Sequence, residues 1–561
     1  MEPTLGLHCK PRSLARIGLC LAGILFLSLG PARGAEPSRV GVSRPNILFC
    51  VADDASYPLM GAYGCDWIKT PAFDRVAANG ILFTRAYTPN AKCSPSRACI
   101  LTGRNSWQLE AAANHVPHFP RKFKTYPEAL SEQGYHVGFT GKGWAPGEPG
   151  VDAQGRPRNL CGPAYQRVKT KPPTSEINAC DYAANFEAFL AANSEGKPFC
   201  FWYGGHEPHR GYAFQSGIRQ GGKRLSDVDR VFGSWPDHEI VRTDLLDYAL
   251  ELEYFDLHLG RMLDLLAQKQ LLHNTVVVVT ADNGMPFPRV KGQAYEHSNH
   301  MPMAVLWPAG LGAPGRRFDG LVSFVDLAPT FLELAGCSSS SVGMQPMAGQ
   351  SLVEVLTHVG DGLVATRRDH VLIGKERHDV GRPGDVGYPI RGIVQGTHLF
   401  LRNFEPARWP AGNPETGYTN TDRSPTKTLI LNERRQTGAS RYWDLGFGKR
   451  PVEELYDVLE DPDCTRNLLA VDQARYSPVA DALRATLFRE LRAQSDPRMR
   501  GQGAIFDAYP YAEEEGRGFY ERFIAGRAPV AGWIAPSDVE RPETSGEDRK
   551  GREGAGGKRP G

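Results

Sequence analysis

The stretch NILFCVADD, residues 46–54, is an apolar run that ends in two adjacent carboxylates. The six apolar residues after Asn46 are too few for a helix and lack the alternation of a half-exposed strand, so they read as a strand buried on both faces. Such strands belong to parallel sheets, whose loops beyond the carboxyl ends carry the polar chemistry. Asp53 and Asp54 stand at that end.

Outward from this strand the same grammar repeats. TPAFDRVAANG (70–80) reads as a helix with Thr70 as N-cap, Pro71 in the first turn and Gly80 as its stop. TYPEALSEQG (125–134) repeats the design with a capping box between Thr125 and Glu128. Strands follow at YHVGFTG (135–141) and PFCFWYGG (198–205), then a long helix over about 244–270 and the strand TVVVVTA (275–281). The alternation predicts an α/β domain over residues 44–365, with a large mostly parallel sheet flanked by helices. HVLIGKERHDV (370–380) and HLFLRNF (398–404) read as strands of an antiparallel sheet in a smaller C-terminal α+β domain, 366–500, with a helix at 474–494. Residues 501–561 read as an extension whose end, SDVERPETSGEDRKGREGAGGKRPG (537–561), is charged, Gly-rich and expected to be disordered.

Bulk composition bounds the function. The 561 residues are 41% hydrophobic and 23% charged, which is ordinary globular composition. Residues 1–34 differ: Lys10, Arg12 and Arg16 precede IGLCLAGILFLSLG, and PARGAEP offers small residues for cleavage. They read as a signal peptide, with no stable membrane anchor, and predict export to a bacterial periplasm or the medium. Without them the formal charge falls from +2 to −1, which argues against nucleic acid as a partner. The absence of any N-x-S/T sequon fits a lysosome less well. Cys161 and Cys180 bracket a Pro-rich loop and are the leading disulfide candidates of the 11 cysteines.

Four strands end in reactive residues: Asp53 and Asp54; Lys142; His206, Glu207 and His209; Asp282 and Asn283. Asp53, Asp54, Asp282 and Asn283 offer only oxygen, which suits Ca²⁺, or Mg²⁺, better than zinc. Arg97, Lys142 and Lys291 are cations able to hold and polarise an anionic ester. A metal, cations and histidines together describe hydrolysis of a sulfate or phosphate ester.

The run CSPSRACILTGR (93–104), with VADD upstream and TADNG downstream, resembles the signature of type I sulfatases, members of the alkaline phosphatase superfamily. The resemblance spans about residues 45–470. It leans toward the N-sulfoglucosamine sulfohydrolases (heparan N-sulfatases) through GGHEPHRG (204–211), DNGMPFP (282–288), GYPIRGI (387–393) and EELYDVLEDPD (453–463). It implies that Cys93 is converted to formylglycine by a formylglycine-generating or anaerobic sulfatase-maturating enzyme. Modified Cys93 would then complete a Ca²⁺ site with Asp53, Asp54, Asp282 and Asn283. Arg97 would orient the formylglycine, while Lys142, His206 and Lys291 would meet the sulfate of a sulfated carbohydrate. His206 would protonate the leaving group, a role suited to an imidazole titrating near neutrality. Sulfatases usually carry a histidine two residues after the lysine, where GKGWAPG (141–147) places Trp144. The general base is therefore open among His115, His118 and His209. His209, His297 and His300, with Glu376, Arg377 and His378, are candidates for the substrate mouth. The rival readings are a phosphodiesterase or phosphonate hydrolase of the same superfamily and an inactive carbohydrate-binding pseudo-sulfatase.

Overall fold

The computed structural model describes residues 44–359 and 368–540. The expected leader, the expected junction at 365/366 and the end of the expected tail, 541–561, lie outside the described residues. Eight strands build the first sheet: β1 (Asn46–Ala52), β2 (Ile81–Tyr87), β3 (His136–Gly141), β4 (Phe199–Gly204), β5 (Thr275–Ala281), β6 (His300–Leu306), β7 (Arg316–Phe318) and β8 (Val322–Ser323). The order is β3-β4-β1-β5-β6-β2-β7, with β8 also paired to β2. Only β6 runs against its neighbours β5 and β2. The mostly parallel sheet flanked by helices is as the sequence predicts.

Register brings the reactive strand ends together. Val51 pairs with Gly204 and Ala52 with Ala281, so the chain leaves β4, β1 and β5 at one edge. Gly141 pairs with Gly204 at the end of β3, and a Cβ on Gly204 would lie 1.8 Å from the Lys142 carbonyl oxygen. Only glycine permits that approach, which sets Lys142 beside the loop that follows β4.

Local signals are partly redistributed. The helix Pro71–Asn79 begins after Thr70, but Thr70 does not cap it; its Oγ1 accepts from Gly61 N instead. The free helix N–H groups of Ala72 and Phe73 are met by the carboxylate of Asp256, at 2.8 and 2.7 Å, from the long helix Glu239–Gln268. That helix starts five residues earlier than the pattern predicts because His238 caps it, accepting from Ile240 N. The capping box of Thr125 and Glu128 forms.

The second sheet, antiparallel, has the order β12-β11-β10-β9: β9 (His370–Lys375), β10 (Ile390–Gln395), β11 (His398–Asn403) and β12 (Glu453–Asp457). The helix Gln473–Ala493 covers one face with Leu483, Leu487 and Leu491 on Ile393, Phe400 and Leu455. The strand expected over 370–380 stops at Lys375, and Glu376 to Asp379 leave the sheet as a buried polar loop. Residues 537–540, expected within the tail, are held in the fold: Asp538 is fully buried, accepts from Thr428 Oγ1 at 2.7 Å and lies 3.6 Å from Lys427 Nζ. A buried lysine needs that charge, and the need holds residues 537–540 in place. Cys161 and Cys180 are separate buried thiols, not a disulfide; Cys180 Sγ sits instead against Thr140 Oγ1 and Asn185 Nδ2.

Candidate active site

The helix Cys93–Thr102 starts at Cys93, and each of its residues is buried. Its first turn lies over the shared strand edge. The Cys93 thiol donates to Asp53 Oδ1 at 3.4 Å. Asp53, Asp54 and Asp282 bring one carboxylate oxygen each within 4.8 Å of one another. Asn283 Nδ2 donates to Asp54 Oδ1 at 2.6 Å, while its Oδ1 is buried without a partner among the described residues.

Cations surround this cluster. Lys142 Nζ lies 2.6 Å from Asp53, and Lys291 Nζ lies 2.6 Å from Asp54 and 3.0 Å from Asp422. Arg97, fully buried, donates through Nε to Asp282 Oδ2 at 2.7 Å and through NH1 to the Lys142 and Gly143 carbonyls. Burial disfavours the charges on Lys142 and Lys291, but the facing carboxylates outweigh it and hold both above the usual lysine range. Burial raises Asp53 too, yet Lys142 and Arg97 bring it well below the usual carboxylate range. Asp282 shows the opposite balance: burial, with Asp53 beside it, leaves it at about 6 despite Arg97.

Above the cluster opens a cavity of about 550 Å³ lined by Asp53, Cys93, Lys142, Lys291, His206 and His209, among others. His209 Nε2 lies 3.9 Å from Asp54. Burial, aided by Lys142 against the pull of Asp53, takes His206 down to about 4, not to neutrality as the sequence suggests. Arg97 lies beneath the floor and meets the carboxylates, not the cavity.

Four expected mouth residues point elsewhere. His297 pairs with Asp463 at 2.9 Å and stacks on Phe232. His300 bonds Glu296 and the Thr84 carbonyl between the rings of Tyr57 and Tyr87. Glu376 is buried in ion pairs with Arg391 and Arg498, and His378 Nε2 meets Asn90 Oδ1. Each is engaged by a protein partner, though His378 Nδ1 is buried without one among the described residues, and none lines the cavity; nor does Arg377.

Other residues come in that the sequence reading missed. Lys92, Asp379, Asp422, Tyr511, Glu513 and Trp533 all line the cavity. Lys92 and Asp379 adjoin residues singled out by motif, and a charge next to a motif is a usable signal. Asp422 and Trp533 lie in loops with no local pattern.

Trp144 is 9% exposed and absent from the cavity wall. Its Nε1 donates to the Ser94 carbonyl at 3.1 Å, and its ring meets Phe119 edge-on at 5.1 Å. It buttresses the start of the Cys93 helix from behind. Trp144→His is therefore expected to destabilise the protein by about 2–4 kcal/mol, as loss of a buried aromatic does, and to bring no gain in turnover. Urea unfolding beside kcat checks this, and a large rise in kcat would contradict it.

Comparisons with known proteins converge on one family. The family model described as Sulfatase matches residues 45–337. Human N-sulphoglucosamine sulphohydrolase is 28% identical over 510 residues, 85% of this chain and 94% of that protein. An ulvan-active sulfatase of Formosa agariphila is 26% identical over 476 residues, 82% of each chain. The solved structure of BT4656 with its substrate D-glucosamine-2-N,6-O-disulfate shares the fold at a TM-score of 0.56 and 20% identity, covering 81% of this chain and 99% of that one.

Proposed function

The chain belongs to the sulfatase family, a hydrolase of sulfate esters, and on that premise we propose that it removes O- or N-linked sulfate from a sulfated sugar or glycosaminoglycan. Cys93, oxidised to formylglycine, and a divalent cation, Ca²⁺ or Mg²⁺, serve the reaction. One observation carries this reading. Cys93 and Asp53, the latter one corner of an all-oxygen cluster, line a single cavity with two charged lysines, an arrangement suited to transfer of a sulfuryl group.

The residues fit the cation. Although each of the three carboxylates has a cation on its outer side, burial, with Asp53 adding to it, still raises both Asp54 and Asp282, a repulsion a divalent ion would relieve, and the unpartnered Asn283 Oδ1 is a free oxygen ligand. Asp53, Asp54, Asp282 and Asn283 would hold it, and when bound it supplies Lewis-acid polarisation at the reacting oxygens. Formylglycine supplies, once hydrated, a nucleophilic hydroxyl and a second hydroxyl on the same carbon. The chain's own side chains do the rest. Lys142 and Lys291 keep their protons and face the cavity, where they balance charge on the sulfuryl oxygens. Arg97 fixes Asp53 and Asp282 from below. His206 is neutral in the free site; an arriving sulfate anion opposes that, and a proton held on the ring can pass to the departing amine or alkoxide.

Among the described residues no helix is long and apolar enough to cross a membrane. Export rests on the basic and apolar pattern of residues 1–34, and oxidation of Cys93 requires a maturating enzyme of the formylglycine-generating or anaerobic type. The decisive experiment co-expresses such an enzyme, weighs the Cys93 peptide and screens O- and N-sulfated sugars beside phosphodiesters. Inorganic sulfate from a sulfated sugar, with the peptide at aldehyde mass, is the expected result. Phosphodiester cleavage without sulfate release would favour the phosphodiesterase reading, and a thiol-mass peptide with no activity the pseudo-sulfatase.

A further inference from the structure

One buried histidine in the cavity has a carboxylate on one ring nitrogen and nothing on the other. His115 is 8% exposed, and its Nδ1 lies 2.9 Å from Asp379 Oδ1. Asp379 Oδ2 pairs with Lys92 Nζ at 2.6 Å, and Lys92 directly precedes Cys93. His115 Nε2 is buried and has no partner among the described residues. All of these residues line the cavity that holds Cys93.

The dyad is braced from two parts of the chain. The His115 backbone N–H donates to the Arg377 carbonyl at 2.9 Å, which ties it to the loop after β9. The next residue, Val116, donates its N–H to Ser94 Oγ at 3.3 Å, which ties it to the Cys93 helix. A carboxylate on Nδ1 selects the tautomer with the proton there and leaves a lone pair on Nε2. Burial, against the pull of Asp379, takes His115 down to about 4, so at neutral pH that lone pair is free. Burial raises Asp379, but Lys92 and His115 hold it well below the carboxylate range, so it stays ionised. A buried ring nitrogen without a partner is costly to the fold. That cost is recovered if a reacting group fills the place.

The other histidines lack this arrangement. His209 Nδ1 is engaged with the Arg210 carbonyl at 2.5 Å, and among the described residues no carboxylate comes within hydrogen-bond distance of its ring, Asp54 lying 3.9 Å from Nε2. His118 is exposed and does not line the cavity.

We propose that His115, oriented by Asp379, is the general base that expels sulfate from the enzyme in the second half of the reaction. The assignment rests on the sulfatase reading above. After sulfuryl transfer the carbon derived from Cys93 carries one O–SO₃⁻ group and one O–H group. Nε2 takes the hydroxyl proton, and the O–H electron pair becomes the second bond of C=O. The C–O bond to the sulfuryl group breaks, and its pair leaves on the sulfate dianion. The imidazolium returns its proton to water, and water rehydrates the aldehyde. No oxidant or reductant is consumed.

The test uses full-length enzyme whose Cys93 peptide has aldehyde mass, with para-nitrophenyl sulfate as probe. His115→Ala and His115→Gln are expected to lose steady-state turnover by ~10²-fold or more, the usual contribution of a positioned base. Each should still release one equivalent of para-nitrophenolate per enzyme and gain one SO₃ by intact mass, an adduct that wild type does not accumulate. Glutamine can still donate to Asp379, so it separates loss of the base from loss of the fold. Added imidazole should restore part of the alanine variant's turnover. Turnover of either variant within a few-fold of wild type would overturn the assignment. So would loss of the first para-nitrophenolate release without any adduct in the glutamine variant. Failure of the sulfatase reading has a different signature: wild type with the aldehyde in place would release neither para-nitrophenolate nor sulfate from any sulfated compound.

Discussion

A Cys93→Ser enzyme is expected to lose sulfate turnover by ~10⁴-fold or more, the scale seen when a nucleophile is removed, while its Tm stays at the wild-type value. Serine is smaller than cysteine and keeps a donor toward Asp53 Oδ1, so the 2%-exposed position loses little packing. Chemically the substitution is severe. A single hydroxyl can accept a sulfuryl group once, but it has no neighbour on the same carbon to push it off. The unmodified cysteine is no substitute either. Burial, with Asp53 adding to it, pushes its thiol well above the usual range and keeps it protonated. Ion chromatography of released sulfate under multiple-turnover conditions checks the prediction; wild-type rates in the serine variant would rule out Cys93 as the source of the nucleophile.

The second large effect is expected at Asp282. Its Oδ1 accepts from Asp54 N at 3.1 Å and its Oδ2 from Arg97 Nε at 2.7 Å, so it joins the oxygen cluster to the cation beneath it. Asp282→Ala removes a ligand charge and leaves Arg97 with Asp53 at 3.4 Å as its remaining carboxylate. Breaking a buried pair in this way costs about 3–5 kcal/mol. Calcium should stabilise wild type by mass action, raising Tm with concentration. In the alanine variant that rise should vanish, bound calcium should fall below one per chain, and turnover should be lost. Asp282→Asn, which keeps the oxygen and the shape, should retain more stability than alanine. Full calcium content and full activity in the alanine variant would place the metal elsewhere.

The centre of the site is legible in the sequence because strand ends are legible. An apolar run followed by aspartate locates both the strand and its edge, and parallel pairing brings four such edges together without further information. The cavity wall is not legible in this way. Asp379 sits one position beyond His378, yet only the end of β9 at Lys375 decides which of these polar residues faces the cavity and which is consumed by the protein. Glu376 is consumed by Arg391, on the neighbouring strand, and by Arg498, more than a hundred residues away, and no local pattern signals either. His297 misled for the same reason, and His300 because the Glu296 that binds it, though only four residues away, does not read as its partner. A histidine in a polar loop looks available until Asp463 and Glu296 are seen to claim it. Trp144 shows the converse case, since its departure from the family pattern marks a packing role behind the site.

The Cys93 helix is sealed late. It packs on the segment Phe324–Leu334, and the cavity above it is closed by Asp379, Asp422 and Trp533. All of these leave the ribosome long after Cys93, by more than two hundred residues for the first of them. At roughly 5–20 residues per second, the cysteine stays uncovered for tens of seconds, and then disappears beneath the fold. The order of residues along the chain thus acts as a clock. If Cys93 is oxidised as proposed, the oxidising enzyme has that interval to reach the thiol, and a chain that folds first keeps its cysteine at the floor of the cavity, out of reach of another protein.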